Sequence, residues 1–199
     1  MTAAVLELPA QTEAAAAPTR HGASGDVVLD VAKRHVGEPY ALGARAPMAN
    51  SDWTGPWDCA EFASWCVYRA VGILYGTRPA DDPVMADAYT GYWAQQAALD
   101  GADIPVEDAL RIAGACLLRR PGNGPLGHIA LSTGDGGTIE AHSSSTGVIA
   151  HTARNRRWDC GVLVPGVRYY VNERTIRYAP PARVLRITTP LTRGGTVLR

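Results

Sequence analysis

A cysteine at the opening of a helix and a histidine at the start of a strand carry the clearest chemical signal in this sequence. Cys59 follows Asp58, and Cys59, Phe62, Ala63, Cys66, Val67 and Ala70 recur at helical spacing until Gly72 supplies a stop. Cys59 is therefore expected in a first turn, where unpaired amides and aligned peptide dipoles favour negative charge. The placement predicts a thiol that ionises more readily, and a thiolate sharing its proton with a histidine is the nucleophile of covalent acyl chemistry. Asp58 opposes part of this effect unless its carboxylate turns to the backbone or to a cationic substrate group. It is also the expected cap, with Glu61 reaching back three residues on, an Asp version of the capping box. The apolar stripe gives Cys59 a second reading as an inert core thiol, and Cys66, Cys116 and Cys160 are expected to be core residues on the same reasoning.

His128 opens the alternating run Gly127-His128-Ile129-Ala130-Leu131-Ser132, so its ring should project beside Ala130 and Ser132. Gly134-Asp135-Gly136-Gly137 is a hairpin signal, and Glu140 and His142 share one face of the return strand. A three-residue loop at Gly134 to Gly136 pairs Thr133 with Gly137, setting His128 opposite His142 with Glu140 diagonal. A two-residue loop at Asp135-Gly136 separates the faces. With the odd loop, Glu140 or His142 can orient the imidazole through its second nitrogen; the bland alternative is a solvated polar face. His21 and His35 are assigned to surface or packing, with His151 a spare candidate near the sheet. The aromatics of Trp53-Thr54-Gly55-Pro56-Trp57 are expected in core or rim packing, and Trp57, just before the cysteine, is placed to wall a substrate cleft.

Several elements must position these groups. Asp26 is the expected N-cap of a helix through about Val36, and 40–57 reads as loop. A helix is expected over 84–99 and a shorter one from Val106 to Ile112, opened by Glu107 and Asp108. After that the period changes: 115–120, 128–133, 138–142, 148–151 and 162–164 are short apolar runs bounded by Gly, Pro or Asp. Helices first and an antiparallel sheet after them make an α+β domain. The sequence has no internal repeat, Walker loop, G-x-G-x-x-G or H-E-x-x-H.

A chain of 199 residues fits one domain with extensions. Hydrophobic residues at 46% and charged residues at 19% exclude disorder throughout. No run approaches the roughly 18 apolar residues of a membrane-spanning helix. The formal charge of zero gives no footprint for nucleic acid. It is unevenly spread, with net −8 over 1–150 and net +8 over 151–199. The four cysteines form no paired C-x-x-C, so reduced thiols and no metal are expected. The alanine-rich first twenty residues lack a basic start and an unbroken apolar stretch and do not read as a secretory signal. Residues 1–25 read as a disordered or extended leader.

Taken in order, Gly37-Glu38-Pro39-Tyr40, Asp58-Cys59-Ala60-Glu61-Phe62, Gly127-His128-Ile129-Ala130-Leu131 and Ile139-Glu140-Ala141-His142 with Gly147-Val148 resemble the NlpC/P60 family of cell-wall cysteine peptidases. The resemblance covers roughly 26–166. It implies a papain-like α+β fold, N-terminal helices packed on an antiparallel sheet, and hydrolysis of amide bonds in peptidoglycan stem peptides without metal or organic cofactor. It also implies Cys59 as nucleophile, His128 as base and Tyr40 as a wall of the pocket; Asp58 and Trp57, next to the cysteine, are further substrate-binding candidates by position. The family's third polar residue, twelve positions after the histidine, falls on Glu140, and His142 lies two places later. The sequence departs from the family pattern where Ala60 and Glu61 replace the usual Ser-Gly, where Ala44 follows Gly43, and where Ala115 replaces an Asp. Acyl transfer to an amine, or a non-catalytic wall-binding or phage-type structural module, are the rival functions. Residues 167–199 read as a basic tail, suited to anionic polymers such as cell-wall glycans or lipid headgroups. Within them Arg183 to Gly194 is similar to the opening of a small peptidoglycan-binding module. A monomer is expected, made in the cytoplasm and acting on the cell wall or periplasm after non-standard export or phage-type delivery.

Overall fold

The computed structural model describes residues 24–79, 81–84, 86–122 and 126–171. Most of the leader and the tail beyond Val171, Arg183 to Gly194 included, lie outside the described residues. The first helix, α1 (Gly25–Lys33), is capped by Ser24, whose backbone is extended, so Asp26 stands inside the first turn rather than at the cap. The helix stops at Lys33, short of Val36. The second, α2 (Cys59–Val71), matches its expected span: Asp58 caps it and Gly72 closes it in the left-handed conformation, φ 70°. The third, α3 (Thr90–Asp100), starts six residues later than its periodicity suggests. Upstream of it Asp82 and Asp81 accept the Val84 and Asp87 amides, at 2.8 and 3.1 Å. Such local aspartate bonds compete with a helix.

A two-residue strand, β1 (Asp103–Ile104), then precedes the short α4 (Val106–Ala109). The sheet continues with β2 (Cys116–Arg119), β3 (His128–Ser132), β4 (Gly137–Ser143), β5 (Gly147–Thr152) and β6 (Cys160–Val162). Strand order is β1-β6-β2-β3-β4-β5, every neighbour antiparallel. The β3–β4 ladder sets Leu131 opposite Ile139 and Ser132 opposite Thr138, and the Thr133 amide donates to the Gly137 carbonyl at 3.0 Å. This is the three-residue loop, the register that brings His128, Glu140 and His142 to one side.

The main core lies between α1, α2 and one face of the sheet. Val28, Phe62, Ala63 and Cys66 are buried with Leu118, Ile129, Leu131, Ile139 and Val148. Each large aliphatic side chain so buried is worth about 1.5–3 kcal/mol. A smaller cluster under α4 holds Ala109, Ile112, Leu117 and Leu163. Residues 167–171 stay on the domain: Arg168 bridges Ser24, Tyr169 Oη accepts the Val164 amide at 3.0 Å, and Val171 bridges Ile112. Among the described residues no helix is long and apolar enough to cross a membrane.

Candidate active site

Cys59 is the first residue of α2 and is 6% exposed. Asp58 turns its carboxylate to the backbone, Oδ1 accepting the Ala60 amide and Oδ2 the Gly43 amide, both at 3.0 Å. The cap therefore also fastens the loop ahead of the helix. Glu61 does not complete a capping box. Its side chain is buried and accepts instead from the amides of Ala46, at 3.3 Å, and Ala88, at 2.8 Å, binding two distant loops to the helix. The thiol of Cys59 meets the backbone amide of Ile129, the residue after His128. Burial pushes that thiol up to about 12, and the neighbouring Asp58 charge acts the same way; the Ile129 and Ala60 amides offset only part. This corrects the expectation of a readily ionised thiol: removal from water outweighs the helix opening.

His128 is itself buried, 7% exposed, and stands opposite Arg119 on β2. Its Nε2 lies 2.5 Å from Glu140 Oε2. Glu140 has no exposed surface. It accepts from Thr138 Oγ1 at 2.6 Å and from both terminal nitrogens of Arg156, Nη1 to Oε1 at 2.5 Å and Nη2 to Oε2 at 2.6 Å. Burial alone would raise this carboxyl, but the hydrogen bonds from Arg156, His128 and Thr138 win and hold it well below the usual carboxylate range. An ionised carboxylate only accepts, so His128 Nε2 carries the hydrogen of this bond.

His142 lies edge-on to His128, ring centroids 6.2 Å apart, and its Nδ1 pairs with Thr146 Oγ1 at 3.1 Å. Partial burial lowers its pKa. It also stacks on His151 at 5.5 Å. Of the two candidates to orient the imidazole, Glu140 is the one that occupies Nε2.

Tyr40 is half-buried beside the cysteine; burial first, then the charges of Cys59 and Asp58, push its phenol up to about 12. Trp57 corrects the cleft-wall expectation. It has no exposed surface and donates Nε1–H to Glu38 Oε2 at 2.5 Å. It packs against His35, Phe62 and Trp65, so the packing role assigned to that loop and to His35 describes it. A ring wholly inside the core offers a ligand nothing. Cys66, Cys116 and Cys160 are buried free thiols. Among the described residues no group of three or more His, Cys, Asp or Glu is placed to hold a metal ion.

Sequence reasoning missed Arg156 and Trp158. The guanidinium of Arg156 lies 4.7 Å from the Trp158 ring centroid, and that ring lies 5.8 Å from His128. Both residues come from the segment after β5, where Arg154-Asn155-Arg156-Arg157 reads as part of a solvated cationic stretch. Only the folded backbone, with Asn155 at φ 60°, distinguishes Arg156 from its neighbours.

No family model matches the sequence, and no curated protein matches it. Solved structures do. The NlpC/p60 domain of the peptidoglycan hydrolase SagA is 21% identical, the match covering 71% of this chain and 99% of that domain at a TM-score of 0.52. The peptidoglycan hydrolase RipB from Mycobacterium tuberculosis is 18% identical over 70% of this chain and 63% of its own, TM-score 0.49. The P60 domain of an antigen from M. avium subspecies paratuberculosis is 19% identical over 69% and 91%, TM-score 0.48. From the first of these comparisons, together with helices that precede one antiparallel sheet, the fold of this chain is the papain-like α+β fold of the NlpC/P60 domains.

Proposed function

We propose that this protein is a cysteine peptidase that hydrolyses amide bonds in peptidoglycan stem peptides, with Cys59 as nucleophile and His128 as base. One observation carries the reading: a cysteine at the first position of a capped helix meets the amide next to a histidine whose far nitrogen is held by a fully buried carboxylate. The likeness in fold to the NlpC/p60 domain of a peptidoglycan hydrolase supports peptidoglycan as the substrate class.

In this mechanism Nδ1 of His128 takes the Cys59 proton as the sulfur attacks the amide carbonyl. The resting thiol is neutral, so proton transfer accompanies attack rather than preceding it. The Cys59 amide, free at the helix start, donates to the oxyanion. Collapse breaks the C–N bond, and the imidazolium returns its proton to the leaving amine. Water, deprotonated by the same ring, then cleaves the thioester, giving a carboxylic acid and the free thiol. Tyr40 and Asp58 flank the sulfur and face the substrate.

The test is mass spectrometry of fragments released from purified sacculi. The wild type should release muropeptides cut in the peptide stem, and Cys59→Ala, folded, should release none; full release by Cys59→Ala overturns the assignment. The depth and high pKa of the thiol favour a second reading, a non-catalytic wall-binding module. That module would leave Cys59 unreactive toward iodoacetamide at neutral pH and would bind sacculi undiminished after Cys59→Ala.

A further inference from the structure

We propose that Arg156 is a positioning residue which, with Glu140, forms one electrically neutral partner behind the His128 imidazole. The inference rests on the catalytic reading above and extends it to a residue outside the motifs that suggested it. Two parallel N–H bonds from the Arg156 fork fix both oxygens of Glu140, and the third donor, Thr138, uses up a further acceptor site. Glu140 is then left with one direction in which to meet His128 Nε2. Trp158 lies against both His128 and the guanidinium, and so holds the ring and the fork together.

Charge acts alongside geometry. A carboxylate with no exposed surface and no cation would be driven toward its protonated form, which no longer fixes the ring's proton on Nε2. If it stayed charged, its full field would favour the imidazolium over the neutral ring that must accept the Cys59 proton. Arg156 removes both difficulties, keeping Glu140 an acceptor while cancelling much of its field at the ring.

The other ionisable groups around His128 are His142 on β4, Arg119 in register on β2, His151 behind His142, and Cys59, whose thiol meets the amide of the next residue, Ile129, with Asp58 beside it. All of them are unchanged in the variants below, so their influence cancels in the comparison.

The experiment follows the His128 ring by 15N NMR of the full chain, beside the pH dependence of kcat/KM on muropeptides. The variants are Arg156→Met, Arg156→Lys, Glu140→Gln and the double Glu140→Gln/Arg156→Met. In Arg156→Met, proton uptake by the His128–Glu140 pair should move up by about one pH unit or more, whichever partner takes the proton, and the acid limb of kcat/KM should move with it. Glu140→Gln alone leaves the cation uncompensated, so the limb should move down; the double variant should return it toward the wild type. Arg156→Lys keeps the charge but loses the fork, and should leave the midpoint in place while kcat falls roughly tenfold with KM little changed. An unmoved midpoint in Arg156→Met, or a double variant no nearer the wild type than Glu140→Gln, overturns the proposal. Should Arg156→Met not fold, the comparison of Glu140→Gln with the double variant still decides it. The NMR titration does not depend on hydrolysis: if Cys59→Ala retained activity while these shifts appeared, the catalytic reading would fail and the hold of Arg156 on His128 would stand.

Discussion

Two buried glutamates illustrate how a side chain's neighbours, more than its depth, decide its charge. Glu61 meets only backbone amides, and burial pushes it up to about 8; Glu140 meets a guanidinium and is held well below the ordinary range. Their contributions to stability therefore run in opposite directions with pH. That of Glu61 is fully present below its unfolded value near 4.5 and is lost as pH rises through about 8. That of Glu140 is present above that value and lost on acidification. Replacing Glu61 by glutamine fixes the neutral form, so urea midpoints of Glu61→Gln should gain on the wild type between about pH 5 and pH 8. A constant difference across that range would show that Glu61 is ionised throughout. None of this was legible in the sequence. There Glu61 sits three residues after a cap, and local spacing argues for a reach back to it; the amides of Ala46 and Ala88 come from loops that spacing does not see.

At the level of elements, α2 and the β3–β4 hairpin were legible because their local signals agree. In α2 the cap, the apolar period and the closing glycine all mark the same span. The hairpin sequence left two registers open, and the structure takes the three-residue loop that the His128–Glu140 contact requires. Periodicity failed at the start of α3, where aspartates bind the backbone locally, and β1 is too short to show any period. The Asp58 cap is also a clamp on Gly43, so Asp58→Ala should cost about 1 kcal/mol and lower Tm by roughly 2–4 °C, read by calorimetry. Gly147 opens β5 at φ 69°, and a Cβ there would lie 2.2 Å from the Glu38 carbonyl oxygen. Gly147→Ala should therefore destabilise the domain by about 1–3 kcal/mol, measured by urea unfolding. Its effect would reach the side of the molecule that carries the candidate site, because Glu38 anchors Trp57 ahead of Cys59.

For the whole molecule, the α+β order was readable from the change of hydrophobic period near residue 115, and the antiparallel six-stranded sheet agrees with it. The candidate site was readable only in part: Cys59, His128 and Glu140 stand in motifs, whereas Arg156 reaches its place beside Glu140 through a segment with no local signature. Four free thiols lie in the folded domain, all buried. Thiol titration with a chromogenic disulfide should find four reactive groups in denaturant and, in the native protein, far slower reaction at Cys66, Cys116 and Cys160 than at Cys59. The bridge between Ser24 and Arg168, strengthened by the Gly25 amide on the Arg168 carbonyl at 2.9 Å, brings the polypeptide in and out of the domain side by side. The start of α1 and the segment after β6 are thus fastened to one another, so that loosening either one frees the other.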